Sequence, residues 1–207
     1  MNHQYISIEG NIGAGKTTLA ERLAREFNTM LLTERFEDNS FLPKFYKDPE
    51  SYAFALELSF LADRYQQIRE HVANRNLFHS CVVSDYFFDK SGIFAGVNLK
   101  DPERRLYRQL FDIIRQNLPE PDLIVYLHAS PEILLNRIRE RGRGYEKHIP
   151  AGYLISLQEM YVEYFRQKDR QRVLWIDIEK KDPLHPDHYG NLINLLEKGL
   201  PPGIHYF

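Results

Sequence analysis

Residues 8–18 read IEGNIGAGKTT, in which three glycines, a lysine and two threonines follow the apolar run that opens the chain. So few side chains leave a backbone free to turn tightly and to aim successive N–H groups at one anion. Gly10, Asn11, Ile12, Gly13, Ala14, Gly15, Lys16 and Thr17 match the phosphate-loop pattern G-x-x-x-x-G-K-[ST] at every fixed position, and Thr18 follows. The context agrees: an apolar strand precedes the loop, and a helix with Leu19, Leu23 and Phe27 on one face comes after it. The helix N-terminus adds unpaired donors and the positive end of its dipole. In such a loop Lys16 reaches the outer phosphates and the Thr17 hydroxyl serves as a ligand of Mg²⁺. A nucleoside triphosphate is therefore the expected ligand, and a strand feeding into a helix is the first unit of the fold.

That unit repeats. Strands are expected at Tyr5–Glu9, Met30–Thr33, His79–Ser84, Leu123–His128 and Val173–Ile178. Helices are expected at Lys16–Phe27, Pro49–Val72, Asp101–Asn117, Pro131–Arg141, Ala151–Arg170 and His188–Lys198. In the second helix Phe54, Leu58, Leu61, Tyr65 and Ile68 recur at spacings of four and three, which makes one apolar stripe. Alternation of apolar strands with amphipathic helices predicts an α/β fold of the phosphate-loop NTPase kind, a parallel sheet covered on both faces. Ligands of such sheets collect at the carboxyl ends of the strands. The segments Glu37–Pro49 and Glu179–Asp187, rich in proline and charge, read as surface loops, so residues 1–207 form a single domain.

Composition narrows the partners. A formal net charge of −2 supplies no basic face for nucleic acid. Cys81 is the only cysteine, which rules out an internal disulfide and suits a reducing compartment. No apolar run approaches the length of about 18 residues that a membrane span needs, and the N-terminus lacks the charged and apolar regions of a signal peptide. A cytoplasmic protein that neither spans a membrane nor binds nucleic acid is expected.

The remaining polar residues bear on what the triphosphate is used for. No Asn-Lys pair occurs, so the base-reading motif of guanine-nucleotide switches is missing. Glu34 ends the second strand, where a carboxylate can take the proton of an attacking hydroxyl; it reads equally as a solvated loop residue beside Arg35. Asp85 follows the third strand and suits Mg²⁺ or the acceptor hydroxyl, or an ordinary strand-ending turn. In RIRERGRGYEKHI, Arg137, Arg139, Arg141 and Arg143 are interleaved with Gly142 and Gly144. This cluster predicts a flap that closes guanidinium groups over a transferring phosphoryl. Glu57 and Arg64 are seven residues apart, hence on one side of a helix and roughly 10 Å apart along it. They could grip a flat polar group from a pocket wall, or stand as two solvated side chains.

Over nearly its whole length the chain resembles the deoxynucleoside kinase family, in GNIGAGKTT, in ERF, in FYKDPESYAFALELSFLADR and in RGRGYEKHIPAGYL. The resemblance implies a five-stranded parallel sheet, a homodimer, ATP as donor, Mg²⁺ as its companion and a small-molecule deoxynucleoside as acceptor. It implies a base at Glu34, with Asp85 as rival and as Mg²⁺ ligand beside Thr17. It also implies a lid over about 141–149, in which Arg137, Arg141 and Arg143 serve the phosphates together with Lys16. Tyr46 and Glu146 then hold the sugar 3′-hydroxyl, while Glu57 and Arg64 face the base. Two departures stand out. Tyr86 occupies the place of an arginine near the acceptor oxygen, and the family's next aspartate maps to Asp89 or is displaced by Lys90, because the spacing there is one residue short. Glu57 replaces a glutamine; an ionised carboxylate only accepts, and the guanine edge presents two donors, so a purine preference is expected. The alternatives are a nucleoside monophosphate kinase of the thymidylate kinase type and a non-catalytic nucleotide switch.

Overall fold

A computed structural model describes residues 3–73, 81–168 and 170–207. Six strands form one parallel sheet: β1 (Tyr5–Gly10), β2 (Met30–Leu32), β3 (Val82–Ser84), β4 (Leu123–His128), β5 (Arg172–Asp177) and β6 (Gly203–Tyr206). Their order is β2-β3-β1-β4-β5-β6. The chain therefore builds outward from β1 in both directions, and the crevice of an open α/β sheet opens at the carboxyl end of that strand. The phosphate loop lies there.

The expected count of five strands becomes six. GIHY follows Pro201-Pro202, is short, and alternates half-buried with exposed positions. It becomes a strand only through its pairing with β5, from Arg172↔Gly203 to Trp175↔Tyr206. The third expected strand is described from Cys81 onward, as β3; His79 and Ser80 lie outside the described residues.

Eight α-helices are seen among the described residues: α1 (Lys16–Glu26), α2 (Leu42–Lys47), α3 (Pro49–Ile68), α4 (Lys90–Asn98), α5 (Glu103–Arg115), α6 (Pro131–Arg141), α7 (Ala151–Arg166) and α8 (Pro186–Lys198). Side chains of successive strand residues go to opposite faces. Ile6, Ile8, Val125, Leu127, Leu174 and Ile176 pack with Leu19, Leu134 and Leu192 of α1, α6 and α8. On the other face Ile124, Tyr126 and Val173 meet Tyr161 and Phe165 of α7, and Tyr5 meets the aromatic cluster of Phe45, Phe60 and Phe111.

Two helices fall where none was expected. α2 lies inside the segment read as a loop, because Leu42 and Phe45 bury against α3. α4 contains Gly92 and Gly96, which read as helix breakers in sequence. Here they serve close packing: a Cβ at Gly96 would lie 2.7 Å from Met160 Cε of α7.

The face of α3 also differs. Phe54, Leu58 and Tyr65 are only half-buried, whereas Ala53, Leu56, Glu57, Phe60, Leu61 and Arg64 are buried. The helix is covered from two sides, so its inner face carries charge as well as apolar groups.

Candidate active site

At Gly10 the backbone leaves β1 beside Leu127 of β4 with φ 149°, and a Cβ there would stand 2.6 Å from the Leu127 carbonyl oxygen. Only glycine permits that approach. Asn11 is buried and pins the loop from behind, its Nδ2 donating to the Leu154 carbonyl at 2.7 Å and its Oδ1 accepting from Ile12 N at 2.8 Å. Lys16 Nζ donates to the Asn11 carbonyl at 2.8 Å, within the loop itself. The Thr17 hydroxyl donates to Asp85 Oδ2 at 2.5 Å, while Asp85 Oδ1 accepts from Glu34 N at 2.9 Å.

Above this loop opens a cavity of about 740 Å³, lined by Gly13, Ala14, Gly15, Lys16, Thr17 and Thr18 below and by Arg137, Arg141 and Arg143 above. Arg137 Nη1 also reaches the Ala14 carbonyl at 3.4 Å. A second, inner chamber lies toward α3 and α4. Its polar lining comprises Glu34, Tyr46, Glu57, Arg64, Lys90, Asn98 and Glu146, and its apolar lining includes Phe45, Phe60, Phe94 and Tyr153. Lys16, Thr17, Glu34, Asp85, Arg141 and Arg143 line both. The two chambers share one wall, and that wall carries the phosphate-loop lysine, two carboxylates and two arginines.

α3 and α4 build the inner chamber by running in opposite directions. Near one end Arg64 Nη1 donates to Ser91 Oγ at 2.7 Å, and near the other Asn98 Nδ2 donates to Glu57 Oε1 at 2.6 Å. Glu34 receives cations on both oxygens. Arg64 donates to Oε1 from Nε at 2.8 Å and from Nη2 at 2.6 Å, and Lys90 Nζ donates to Oε2 at 2.7 Å. Burial alone would raise this carboxyl; Lys90 and Arg64 outweigh it and hold it down at about 2. Glu57 goes the other way. Burial pushes its carboxyl up to about 7 against the pull of Arg64 and the Asn98 bond, and its Oε2 is buried with no hydrogen-bond partner among the described residues. Lys16 is lowered, by burial first and by Lys90 next. Glu9, fully buried beneath the loop, is raised by burial despite Lys90 and Lys16.

The arginine-rich turn sits at the mouth. α6 ends in Gly142 with φ 74°, and one 3₁₀ turn, Gly144–Glu146, follows. Glu146 pairs with Arg141 at 2.5 Å and with Arg143 at 3.5 Å. Arg143 also lies 3.9 Å over the Phe36 ring, and Tyr145 stacks on Tyr46 at 5.8 Å between centroids.

Tyr86 and Asp89 are not brought into either chamber. Tyr86 is fully buried in the aromatic cluster, with its hydroxyl on Gln67 Oε1. Asp89 faces outward from the site to Arg115 Nε at 2.5 Å and Tyr164 OH at 2.8 Å. The next residue, Lys90, enters the site instead. Asp89 precedes the first residue of α4 and Lys90 is that residue, so the two side chains leave the helix start in different directions. Asn98 and Tyr153 are site residues that the sequence did not announce, and Lys90 was expected only as the residue that displaces the family aspartate. Lys90 and Asn98 lie at the ends of α4, and a helix there is what would have revealed their roles.

Magnesium is matched by the donor set: a hydroxyl and a carboxylate side by side are hard oxygen ligands. No group of three or more His, Cys, Asp or Glu side chains suited to a metal occurs among the described residues.

The Glu57 carboxyl gives a testable sign. Its pKa is raised on folding from 4.5 to about 7. Its contribution to stability is complete below the lower value and is lost as pH rises through the upper one. Glu57→Gln removes the ionisable group. The melting temperature of the variant relative to the wild type is expected to be unchanged at about pH 5 and to rise by a few degrees by about pH 8. A difference that does not change with pH contradicts the assignment.

Comparison with known proteins gives the same site a family. A family model described as deoxynucleoside kinase matches residues 6–200. The deoxyguanosine kinase of Bacillus subtilis is 37% identical over 182 residues, covering 86% of this chain and 88% of that protein. The deoxyadenosine kinase of Dictyostelium discoideum is 34% identical over 186 residues, covering 87% of this chain and 76% of that protein. A solved structure of deoxyadenosine kinase from M. mycoides with bound dATP has a TM-score of 0.80 at 24% identity, covering 95% of this chain and all of that one, a likeness of fold. The match spans the phosphate loop, both strand-end carboxylates and the arginine-rich turn, and this chain belongs to the deoxynucleoside kinase family.

Proposed function

We propose that the chain transfers the γ-phosphate of ATP to the 5′-hydroxyl of a deoxynucleoside, preferring purines, and releases the deoxynucleoside monophosphate and ADP. The observation that carries this reading is the wall shared by the two chambers. A triphosphate on the loop would present its outer phosphate to an alcohol in the inner chamber, so positioning alone supplies much of the catalysis. Asp85 already accepts from Thr17 and from Glu34 N, which suits it to the loop and to Mg²⁺. When bound there, Mg²⁺ would offset charge on the outer phosphates. That leaves Glu34 as the carboxylate that takes the 5′-hydroxyl proton. Lys16, Arg141 and Arg143 stabilise charge on the phosphoryl in flight, with Arg137 on the loop side. Tyr46 and Glu146 hold the 3′-hydroxyl.

Glu57 carries the purine preference. With Oε1 held by Asn98, the unpartnered Oε2 is an acceptor waiting for a donor. The guanine edge offers two adjacent donors; in its protonated form Glu57 offers a donor and an acceptor, as adenine requires. Relatives named as deoxyguanosine and deoxyadenosine kinases support the same class. The phosphate dianion of a nucleoside monophosphate is less well served. The inner chamber is lined by Glu34, Glu57, Asp85 and Glu146; of its cations, Arg64 and Lys90 are paired with Glu34, Arg141 and Arg143 with Glu146, and Lys16 bonds within the phosphate loop.

Assembly as a homodimer is supported by α5. Leu106, Leu110 and Ile113 are 50%, 38% and 64% exposed at helical spacing, an apolar stripe that a second copy would cover. Sedimentation velocity should give twice the monomer mass; a monomer at micromolar concentration contradicts this.

The activity is read by ADP release with four deoxynucleosides and with dTMP. Deoxyguanosine or deoxyadenosine should lead, dTMP should be inert, and Lys16→Ala should cut kcat by about 1,000-fold or more. Glu57→Gln should lower the kcat/KM for deoxyguanosine relative to that for deoxycytidine by about tenfold. Turnover of dTMP above that of every deoxynucleoside, or an unchanged ranking in Glu57→Gln, overturns the corresponding part.

A further inference from the structure

Lys90 was expected only as the residue that displaces the family aspartate, with no role of its own, yet its ammonium lines the inner chamber and bonds Glu34. It is 3% exposed at the first turn of α4, and among the described residues Nζ has one hydrogen-bond partner, Glu34 Oε2, at 2.7 Å. An ammonium carries three donors. Two are therefore unspent on a group that lines the inner chamber, while Phe94, 5.5 Å away, covers one side. A desolvated cation with free donors is costly unless something else meets it.

The geometry of Glu34 says where that would be. Arg64 takes Oε1 with two N–H groups, so Oε2 is the oxygen open to an entering hydroxyl. A hydroxyl giving its proton to Oε2 must come within about 3 Å of it. Lys90 is on that same oxygen, so the hydroxyl arrives beside the ammonium. Among the described residues Lys90 is the cation that the segment after β3 brings there: Tyr86 is buried toward Gln67, and Arg115 of α5 and Lys168 after α7 lie with Asp89 on the far side. Arg64 is engaged by Glu34 and Ser91, and Lys16 belongs to the loop.

We propose that Lys90 is a catalytic residue that donates a hydrogen bond to the acceptor oxygen as it attacks, besides orienting Glu34. In the step, the 5′-oxygen gives its proton to Glu34 and forms the bond to the γ-phosphorus, whose bond to the ADP oxygen breaks with its electron pair leaving on ADP. Lys90 keeps its proton throughout. Its role is to hold fixed positive charge where the oxygen becomes negative, which counts most in a site without bulk water.

This assignment rests on the 5′-hydroxyl reading above, and the test keeps the two apart. Lys90→Met removes the charge and keeps the length, and Glu34 retains both of its Arg64 bonds. With the preferred deoxynucleoside, kcat should fall about 100-fold or more while KM stays within about threefold. Methylammonium added to Lys90→Ala should restore at least about tenfold of the lost kcat, saturably, against the same protein without amine. Equal kcat in Lys90→Met and wild type overturns the assignment, and so does a loss of kcat that the amine does not relieve. Absence of deoxynucleoside turnover in the wild type overturns the functional reading instead.

Discussion

Asp85 joins three strand ends through two hydrogen bonds. One comes from the hydroxyl of Thr17, at the start of the helix after β1; the other comes from the backbone of Glu34, just beyond β2; and Asp85 itself follows β3. Its own N–H donates to the Leu32 carbonyl at 3.1 Å, so the carboxylate cannot shift without moving β2. This contact sets the distance between the phosphate loop and the carboxylate of Glu34. Everything proposed about transfer between the chambers depends on that distance.

Beneath it, a second buried carboxylate does the same for the floor. Glu9 accepts from Phe87 N at 2.7 Å and from the Tyr161 hydroxyl at 2.8 Å, linking β1 to the turn after β3 and to α7. The site is thus built on carboxylates buried among Lys16, Arg64 and Lys90, each satisfied mainly by groups from other elements. Charges buried this way are expensive unless paired. The cost is spread over a constellation whose positions are then tightly specified, and Glu57 Oε2 is the oxygen left open.

The phosphate loop was legible because its requirements are local: at Gly10 and Gly15 the backbone takes positive φ, and a strand and a helix flank it. Glu34 and Asp85 were legible as strand-end polar residues, and Glu57 and Arg64 by their spacing along one helix. What stayed hidden depends on distant partners. Gly92 and Gly96 look like helix breakers until Phe111 and Met160 are seen pressing on them, and without α4 neither Lys90 nor Asn98 could be placed. β6 exists because β5 offers it an edge. Tyr86 and Asp89 were carried into the expected site by the family resemblance alone, and distant partners hold both elsewhere: Gln67 for Tyr86, Arg115 and Tyr164 for Asp89.

The central claim is that donor and acceptor meet directly across a single wall, with no protein group carrying the phosphoryl between them. The stereochemistry at phosphorus tests this most directly. With ATP made chiral at the γ-position by sulfur and oxygen isotopes, one in-line transfer to the deoxynucleoside inverts the configuration of the thiophosphoryl product. Inversion is the predicted result. Retention, which requires two displacements and a phosphorylated enzyme intermediate, would contradict the account.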